Sequence, residues 1–351
     1  MKNQLIKGLI GLAKLFPRPK RTERRFLVVS TTGLGDTIWG VPALRALRQT
    51  YPEAYIGVLT TQVGENLLQH CPYIDEFFFM KDPWLLFKLR KKKFSHVFLF
   101  HISQRAMIPL AFFTGAPHLI GTKGRNKDLD SVLTAALEDK PIHEVDRRLA
   151  LVAQAGAYVS NPSLELFLDE ADISHATDFL IKHHIPAHLP IVGMHPGAQN
   201  LFKQWPPELF IRVGNALADH LGCQILVTGK GSEKPLVDHI AKNIRGALAL
   251  TDEISILHLG ALIKKMDLMI TNDTGPMHLA AALQTPTVAL FGPTDPKLCG
   301  PYRTKRAIVL AHPPTCQPCL KKKCLEPFCL LQISPQQVYS AALELFYRGK
   351  A

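Results

Sequence analysis

Short apolar runs alternate along this chain with stretches in which apolar residues return every three or four positions. Residues 26–30, 55–60, 74–80 and 96–101 read as strands. Residues 37–50 read as a helix, with Ile38, Val41, Leu44, Ala46 and Leu47 on its apolar face, and 84–90 and 105–113 read as two more. A polar stretch follows at 121–130, then a helix at 143–157. Residues 161–190, with scattered prolines and charges, read as a domain junction. The second half repeats the alternation: strands at 191–195, 224–228, 267–270 and 287–290, and helices at 207–219, 233–243 and 256–264. A last helix, 334–347, is capped by Ser334 with Pro335 in its first position. Strand–helix alternation of this kind predicts parallel, doubly wound sheets. The expected fold class is α/β, two Rossmann-like domains facing a cleft. Its parts are a leader at 1–25, an N-terminal domain at 26–165, a C-terminal domain at 166–333 and a closing helix at 334–351.

The junctions between strand and helix carry the candidate chemistry. Residues 270–283, ITNDTGPMHLAAAL, take a buried strand through a polar turn directly into an apolar helix. Asp273 or Thr274 can cap that helix, and Gly275 lets the backbone approach a ligand. Unpaired amides at a helix start favour a phosphate, and His278 lies one turn further on. The first strand runs into Ser30-Thr-Thr-Gly33-Leu-Gly35-Asp36, whose two glycines form a turn close to any ligand. A dinucleotide fingerprint would need a third glycine where Ile38 stands, and an acid where the second strand ends in Thr60-Thr61. Asp36, at the sheet's carboxyl edge, is either a general base or a helix cap. Lys203, in the loop after His195-Pro-Gly, can reach a phosphate or simply be solvated. Glu233, after the strand at 224–228, can bind ribose hydroxyls or serve as a first-turn acid.

Composition narrows the class. At 351 residues, 47% apolar and 20% charged, the chain has the make-up of a soluble globular protein large enough for two cores. A formal charge of +12 points to an anionic partner. Nucleic acid is not favoured, since no strand interleaves aromatic with basic residues. Apolar positions Leu5, Ile6, Leu9, Ile10, Ala13 and Phe16 alternate with lysines at helical spacing. The leader is therefore either an amphipathic helix for an anionic leaflet or a frayed, solvated terminus. Lys88, Arg90, Lys91, Lys92 and Lys93 read as a solvated helix end. Seven cysteines suit a reducing cytoplasm better than a disulfide scaffold. Cys316, Cys319, Cys324 and Cys329 leave open tetrahedral zinc, a labile disulfide and, favoured, free packing thiols.

Four blocks together resemble the lipopolysaccharide heptosyltransferase family, glycosyltransferase family 9, whose members have the GT-B fold. They are Gly33-Leu-Gly-Asp36 with residues 42–48, PALRALR; His195-Pro-Gly with Lys203-x-Trp205-Pro; residues 272–278, NDTGPMH; and residues 290–295, LFGPTD, with Gly300-Pro-Tyr302. Glycine at 33 stands where the family more often has serine, and residues 198–201 lack a hydroxyl pair that some members carry. The resemblance implies an inverting transfer of heptose, or a related sugar, from an ADP-sugar donor to an inner-core lipopolysaccharide or lipid A acceptor. It implies Asp36 as catalytic base. Gly33, Gly35, Lys203, Glu233, Asp273, Thr274, Gly275 and His278 would be donor-binding, with Glu233 on the ribose. Arg105, Lys123 and Arg125 would meet the anionic, lipid-linked acceptor. No cofactor and no metal are implied, and the expected location is cytoplasmic, peripheral on the inner face of the cytoplasmic membrane. The alternative is a nucleotide-sugar epimerase or hydrolase of the same fold.

Overall fold

A computed structural model describes residues 21–101, 106–251, 254–314 and 328–349, together with positions 4, 8, 11, 316, 319 and 324. The chain divides into two compact units, Met1–Pro162 and Ser163–Ala351. Each is a six-stranded parallel sheet flanked by helices. In the first, β1 (Arg25–Ser30), β2 (Tyr55–Thr60), β3 (Glu76–Phe79), β4 (His96–His101), β5 (His118–Thr122) and β6 (Ala135–Leu137) lie in the order β3-β2-β1-β4-β5-β6. In the second, β7 (Ile191–His195), β8 (Gln224–Thr228), β9 (Leu248–Leu250), β10 (Leu268–Asn272), β11 (Thr287–Phe291) and β12 (Ala307–Ala311) take the order β12-β11-β10-β7-β8-β9. These are the same topology read from opposite edges. In each, the strand order reverses beside the first strand, between β1 and β4 and between β7 and β10. Ligands of open α/β sheets bind at the carboxyl ends of the strands at such a reversal.

The two α/β units are the fold class that the alternation predicted. The apolar runs become strands because both sheet faces are covered: Phe26, Leu27, Val28 and Val29 are all buried. One expected helix, 37–50, is in fact two, Leu34–Ile38 and Val41–Thr50. Pro42 has no amide to offer Ile38 and its ring crowds that carbonyl, so the chain must break before it. The break at Gly40 is tight, since a Cβ there would meet the Thr37 carbonyl oxygen at 3.1 Å and Phe100 at 3.2 Å. The stretch expected as a junction holds the helix Glu170–Lys182, started by a reciprocal cap between Asp169 and Asp172. Gln4, Gly8 and Gly11 are helical; the rest of the leader up to residue 20 lies outside the described residues. Arg21 donates to the carbonyls of Phe94 and Gly115. No helix among the described residues is long and apolar enough to cross a membrane.

In the second unit, Phe210 packs edge-on to Trp205 with ring centroids 5.1 Å apart. Val213, Leu217, Ile240 and Val338 complete that core. Phe210 is fully buried, so Phe210→Ala should cost this unit about 3–5 kcal/mol. Urea unfolding followed by Trp205 fluorescence measures it, and a loss well below that range would show the core can collapse around the void.

Candidate active site

In the first unit, the end of β1 turns through Thr31-Thr32-Gly33 into the short helix Leu34–Ile38, which carries Asp36 in its first turn. The Thr37 side chain donates back to the Gly33 carbonyl and no side chain caps the helix. Asp36 is therefore not the cap that a reading of the loop alone allowed. Its carboxylate turns toward the ends of neighbouring elements. Arg148 Nη2 lies 3.4 Å from Asp36 Oδ1, and His101 Nε2, at the end of β4, lies 4.0 Å from Oδ2.

Arg148 is wholly buried, whereas Asp36 keeps 26% of its side-chain surface. A guanidinium in that position needs compensation. Arg148 Nη1 donates to Glu144 Oε2 at 2.9 Å and to the Glu144 carbonyl at 2.7 Å, and its plane lies 5.3 Å from the Trp39 ring. Glu144 also accepts from Arg125 at 2.7 Å and from Arg147 at 3.3 Å, and Asp139 pairs with the same two arginines. Three cations and three carboxylates so form one network ending at Asp36. Burial lowers the His101 pKa; Asp36 opposes that shift and Arg148 adds to it. The ring is therefore neutral near pH 7. Beside it opens a pocket of about 290 Å³ lined by Leu99, Phe100, His101, Thr122, Arg125 and Asn126.

The expected acceptor cations divide. Arg125 lines this pocket but is already paired with Asp139 and Glu144. Lys123 is exposed and paired with Glu138 at 3.2 Å. Arg105 lies outside the described residues. His101, Glu144 and Arg148 were missed from sequence. His101 and Glu144 close a strand and open a helix, positions that a search for loop motifs passes over.

In the second unit three loops meet at the reversal between β7 and β10. Asn272, with no exposed surface, ties the end of β10 to both ends of the loop after β7: its Oδ1 accepts from the Trp205 amide at 3.1 Å and its Nδ2 donates to the Pro196 carbonyl at 2.7 Å. Lys203 Nζ lies 2.5 Å from Asp273 Oδ2, so the two expected donor-binding side chains are brought together as an ion pair. Thr274 occupies the N-cap of the helix Gly275–Leu283 without a side-chain cap bond, and Pro276 opens the helix. His278 sits one turn in and is 3% exposed.

Glu233 ends a turn after β8, and its Oε2 accepts from the Lys230 amide at 3.0 Å. Gly197 faces it so closely that a Cβ there would lie 2.4 Å from the Glu233 carboxyl carbon. His195 bonds Thr228 Oγ1 through Nδ1 at 2.9 Å. Of the four clustered cysteines, Cys316 is exposed, Cys319 and Cys324 are half-buried and Cys329 is buried. Burial pushes the Cys329 thiol pKa up, with Cys319 and Cys324 adding to the shift.

With this geometry in place, relatives can be compared. Residues 88–329 match Glycosyltransferase family 9 (heptosyltransferase). The chain belongs to glycosyltransferase family 9. It is accordingly a glycosyltransferase. It is 27% identical over 316 residues to lipopolysaccharide heptosyltransferase 2 of Escherichia coli (strain K12), covering 81% of this chain and 87% of that protein. The solved ADP-heptose LPS heptosyltransferase II of E. coli superimposes with a TM-score of 0.77 at 24% identity, over 93% of this chain and 100% of that one. A family 9 glycosyltransferase from Veillonella parvula DSM 2008 gives 0.82 at 24% identity, over 95% and 100%. Membership favours transfer over the epimerase or hydrolase reading.

His195 provides a pH test. Burial lowers its pKa from 6.5 to about 4, against the opposing influence of Glu233. The unfolded imidazole takes up a proton between these values that the folded one refuses, so the unfolded state binds more protons there. Stability should be full above about pH 6.5 and decline as pH falls toward about 4. Urea midpoints across that window check this, and His195→Asn should shallow the decline; an unchanged slope would mean that other groups cause it.

Proposed function

We propose that this glycosyltransferase is an inverting enzyme that moves a heptose, or a related sugar, from an ADP-sugar to an inner-core lipopolysaccharide or lipid A acceptor. The observation that carries the reading is the Asp36 carboxylate, held at a strand-order reversal by a buried arginine and still open to solvent on one side. It is supported by the ADP-heptose and lipopolysaccharide named for the E. coli relative.

In this reading Asp36 accepts the proton of the acceptor hydroxyl as that oxygen attacks the anomeric carbon. The carbon–oxygen bond to ADP breaks on the opposite face, which inverts the configuration. Arg148 is a positioning residue: it touches no substrate and fixes the direction of Asp36. The leaving diphosphate takes its charge compensation from the uncapped helix start at Thr274 and Gly275, from Lys203 and from His278. Asp273 holds Lys203 extended until the diphosphate supplies a second anion. Glu233 accepts from the ribose hydroxyls, and Gly33 and Gly35 keep the first loop low enough for the sugar to pass. No step is routed through a metal. Arg125, and with it Lys123 and Arg105, would meet the acid groups of the acceptor. Because that acceptor carries lipid, we place the enzyme in the cytoplasm, peripheral on the inner face of the cytoplasmic membrane.

Incubation with ADP-heptose and heptose-deficient inner-core lipopolysaccharide should yield ADP and an extended acceptor, and donor alone should give no sugar product. Release or isomerisation of the sugar without acceptor would overturn the transfer reading. Asp36→Asn should cut turnover by about 10²–10⁴-fold with donor affinity retained; full turnover in that variant removes Asp36 as base. Gly197→Ala pushes directly on the Glu233 carboxylate. It should weaken ADP binding by about tenfold or more in calorimetry, and unaltered affinity would take Glu233 out of the nucleotide site.

A further inference from the structure

The helix Leu85–Lys91 has apolar side chains on two opposite sides. Leu85 and Leu89 are buried in the core of the first unit, beside Phe78 and Phe94. Trp84, at the N-cap, and Phe87 are instead 69% and 66% exposed. Positions 84, 87, 88 and 91 are spaced i, i+3, i+4 and i+7, so two aromatic rings and two lysines share the outward face. Exposed aromatic surface of this size, rimmed by polar groups, marks an interaction site rather than a solvated helix end.

The rim is cationic. Lys88 is paired with Asp82 yet remains 54% exposed. Arg90 and Lys91 are exposed and make no side-chain hydrogen bond or ion pair among the described residues. The helix then closes on Lys93 in left-handed backbone, with φ at 53°, where glycine or asparagine would be less strained.

We propose that this face docks onto an anionic phospholipid surface, with the Trp84 and Phe87 rings entering the headgroup layer and the surrounding cations held by lipid phosphates. Tryptophan beside lysine and arginine is the chemistry of the membrane–water interface. Two other occupants are disfavoured by charge. A second copy would bring the same cationic face against itself. The leader, residues 1–20, contains five lysines and arginines and no acid, so it would be repelled. The pKa of Arg21, which follows residues 1–20, is lowered by burial and, to a lesser degree, by Arg90, so Arg21 lies close to this helix. The leader's basic amphipathic pattern would then meet the same leaflet as Trp84. The inference deepens the membrane location proposed above and is tested without donor or acceptor, so its failure and that of the transfer reading are separate results.

The chain has three tryptophans, and Trp39 and Trp205 are buried, so its exposed indole is Trp84. The full-length protein should float with phosphatidylcholine vesicles that contain phosphatidylglycerol, and not with phosphatidylcholine alone. Its emission should shift to the blue on binding, a shift that Trp84→Phe removes. Trp84→Ser/Phe87→Ser and Arg90→Glu/Lys91→Glu should each weaken vesicle binding by at least about tenfold, with unchanged thermal melting. Vesicle binding without an emission shift would assign docking to the leader and overturn the proposal. So would wild-type affinity in both double variants, or lipid-free self-association that the aromatic double variant abolishes.

Discussion

A guanidinium with no surface left in water has to be neutralised where it lies, and that requirement organises the first unit around Arg148. Its two terminal nitrogens are divided between Glu144, one helical turn behind it, and Asp36, which comes from the end of another strand. Removing both carboxylates would strand a buried positive charge, a change that ordinarily costs several kcal/mol. The ion pair thus fixes the direction of Asp36 more firmly than the five-residue helix bearing it could. Trp39, three residues beyond Asp36, lays its ring against the guanidinium. The same demand spreads outward, because Glu144 is shared with Arg125 and Arg147, which Asp139 balances in turn. On the proposed reading, a carboxylate that receives a proton must point one way. A dry arginine achieves that from behind, on the side away from the open face of Asp36.

The second unit solves a related problem with a neutral side chain. Asn272 has a donor and an acceptor, and it uses them at the two ends of the one loop that follows β7, the Pro196 carbonyl and the Trp205 amide. The end of β10 and that loop are so held in register at the strand reversal while the charged groups beside them, Lys203 and Asp273, stay paired with each other. The division matches the roles proposed for the two sites. A leaving diphosphate would bring two or more negative charges and call for donors that can be redirected; an acceptor hydroxyl would bring none and call for one fixed base. That both constellations sit at strand-order reversals follows from topology, since only there do neighbouring loops diverge enough to admit a ligand.

Much of this was legible in the order of residues. Every strand that the alternation predicted exists; all but the edge strand β3 are largely buried and so leave a nearly uninterrupted apolar run. The strands it missed, β5, β6, β9 and β12, lie at or near sheet edges, and β6 and β9 span only three residues each, too few to show a pattern. The break at Gly40 was signalled by Pro42, yet the apolar spacing on both sides continued in phase and masked it. The helix Glu170–Lys182 was hidden by flanking prolines, although the acid pair Asp169 and Asp172 marked its start. Motif loops gave Asp36, Lys203, Glu233 and Asp273 because a ligand-facing turn needs glycines and polar residues close together in the chain. Arg148 and Asn272 escaped for the opposite reason. Each works through partners tens of residues away, and nothing local distinguishes a buried structural arginine from a solvated one.

Charge shows the same distinction between sequence and site. A formal +12 suggested an anionic partner, and the family resemblance suggested that Arg105, Lys123 and Arg125 would receive an acidic acceptor. The structure commits two of those cations elsewhere: Arg125 to Asp139 and Glu144, Lys123 to Glu138. An anion arriving at these two would have to compete with carboxylates already in place, so affinity there must come from shape and exchange of partners more than from excess charge. Among the described residues, uncompensated positive charge is found instead at Arg90 and Lys91, beside two exposed aromatic rings. Excess charge acts over a Debye length of about 10 Å and cares little for the orientation of its target. That makes it poorly suited to choosing one hydroxyl of a sugar and well suited to holding a protein against a surface. Paired charge at the chemistry and unpaired charge away from it is the arrangement expected when selecting the acceptor and approaching the membrane are separate tasks.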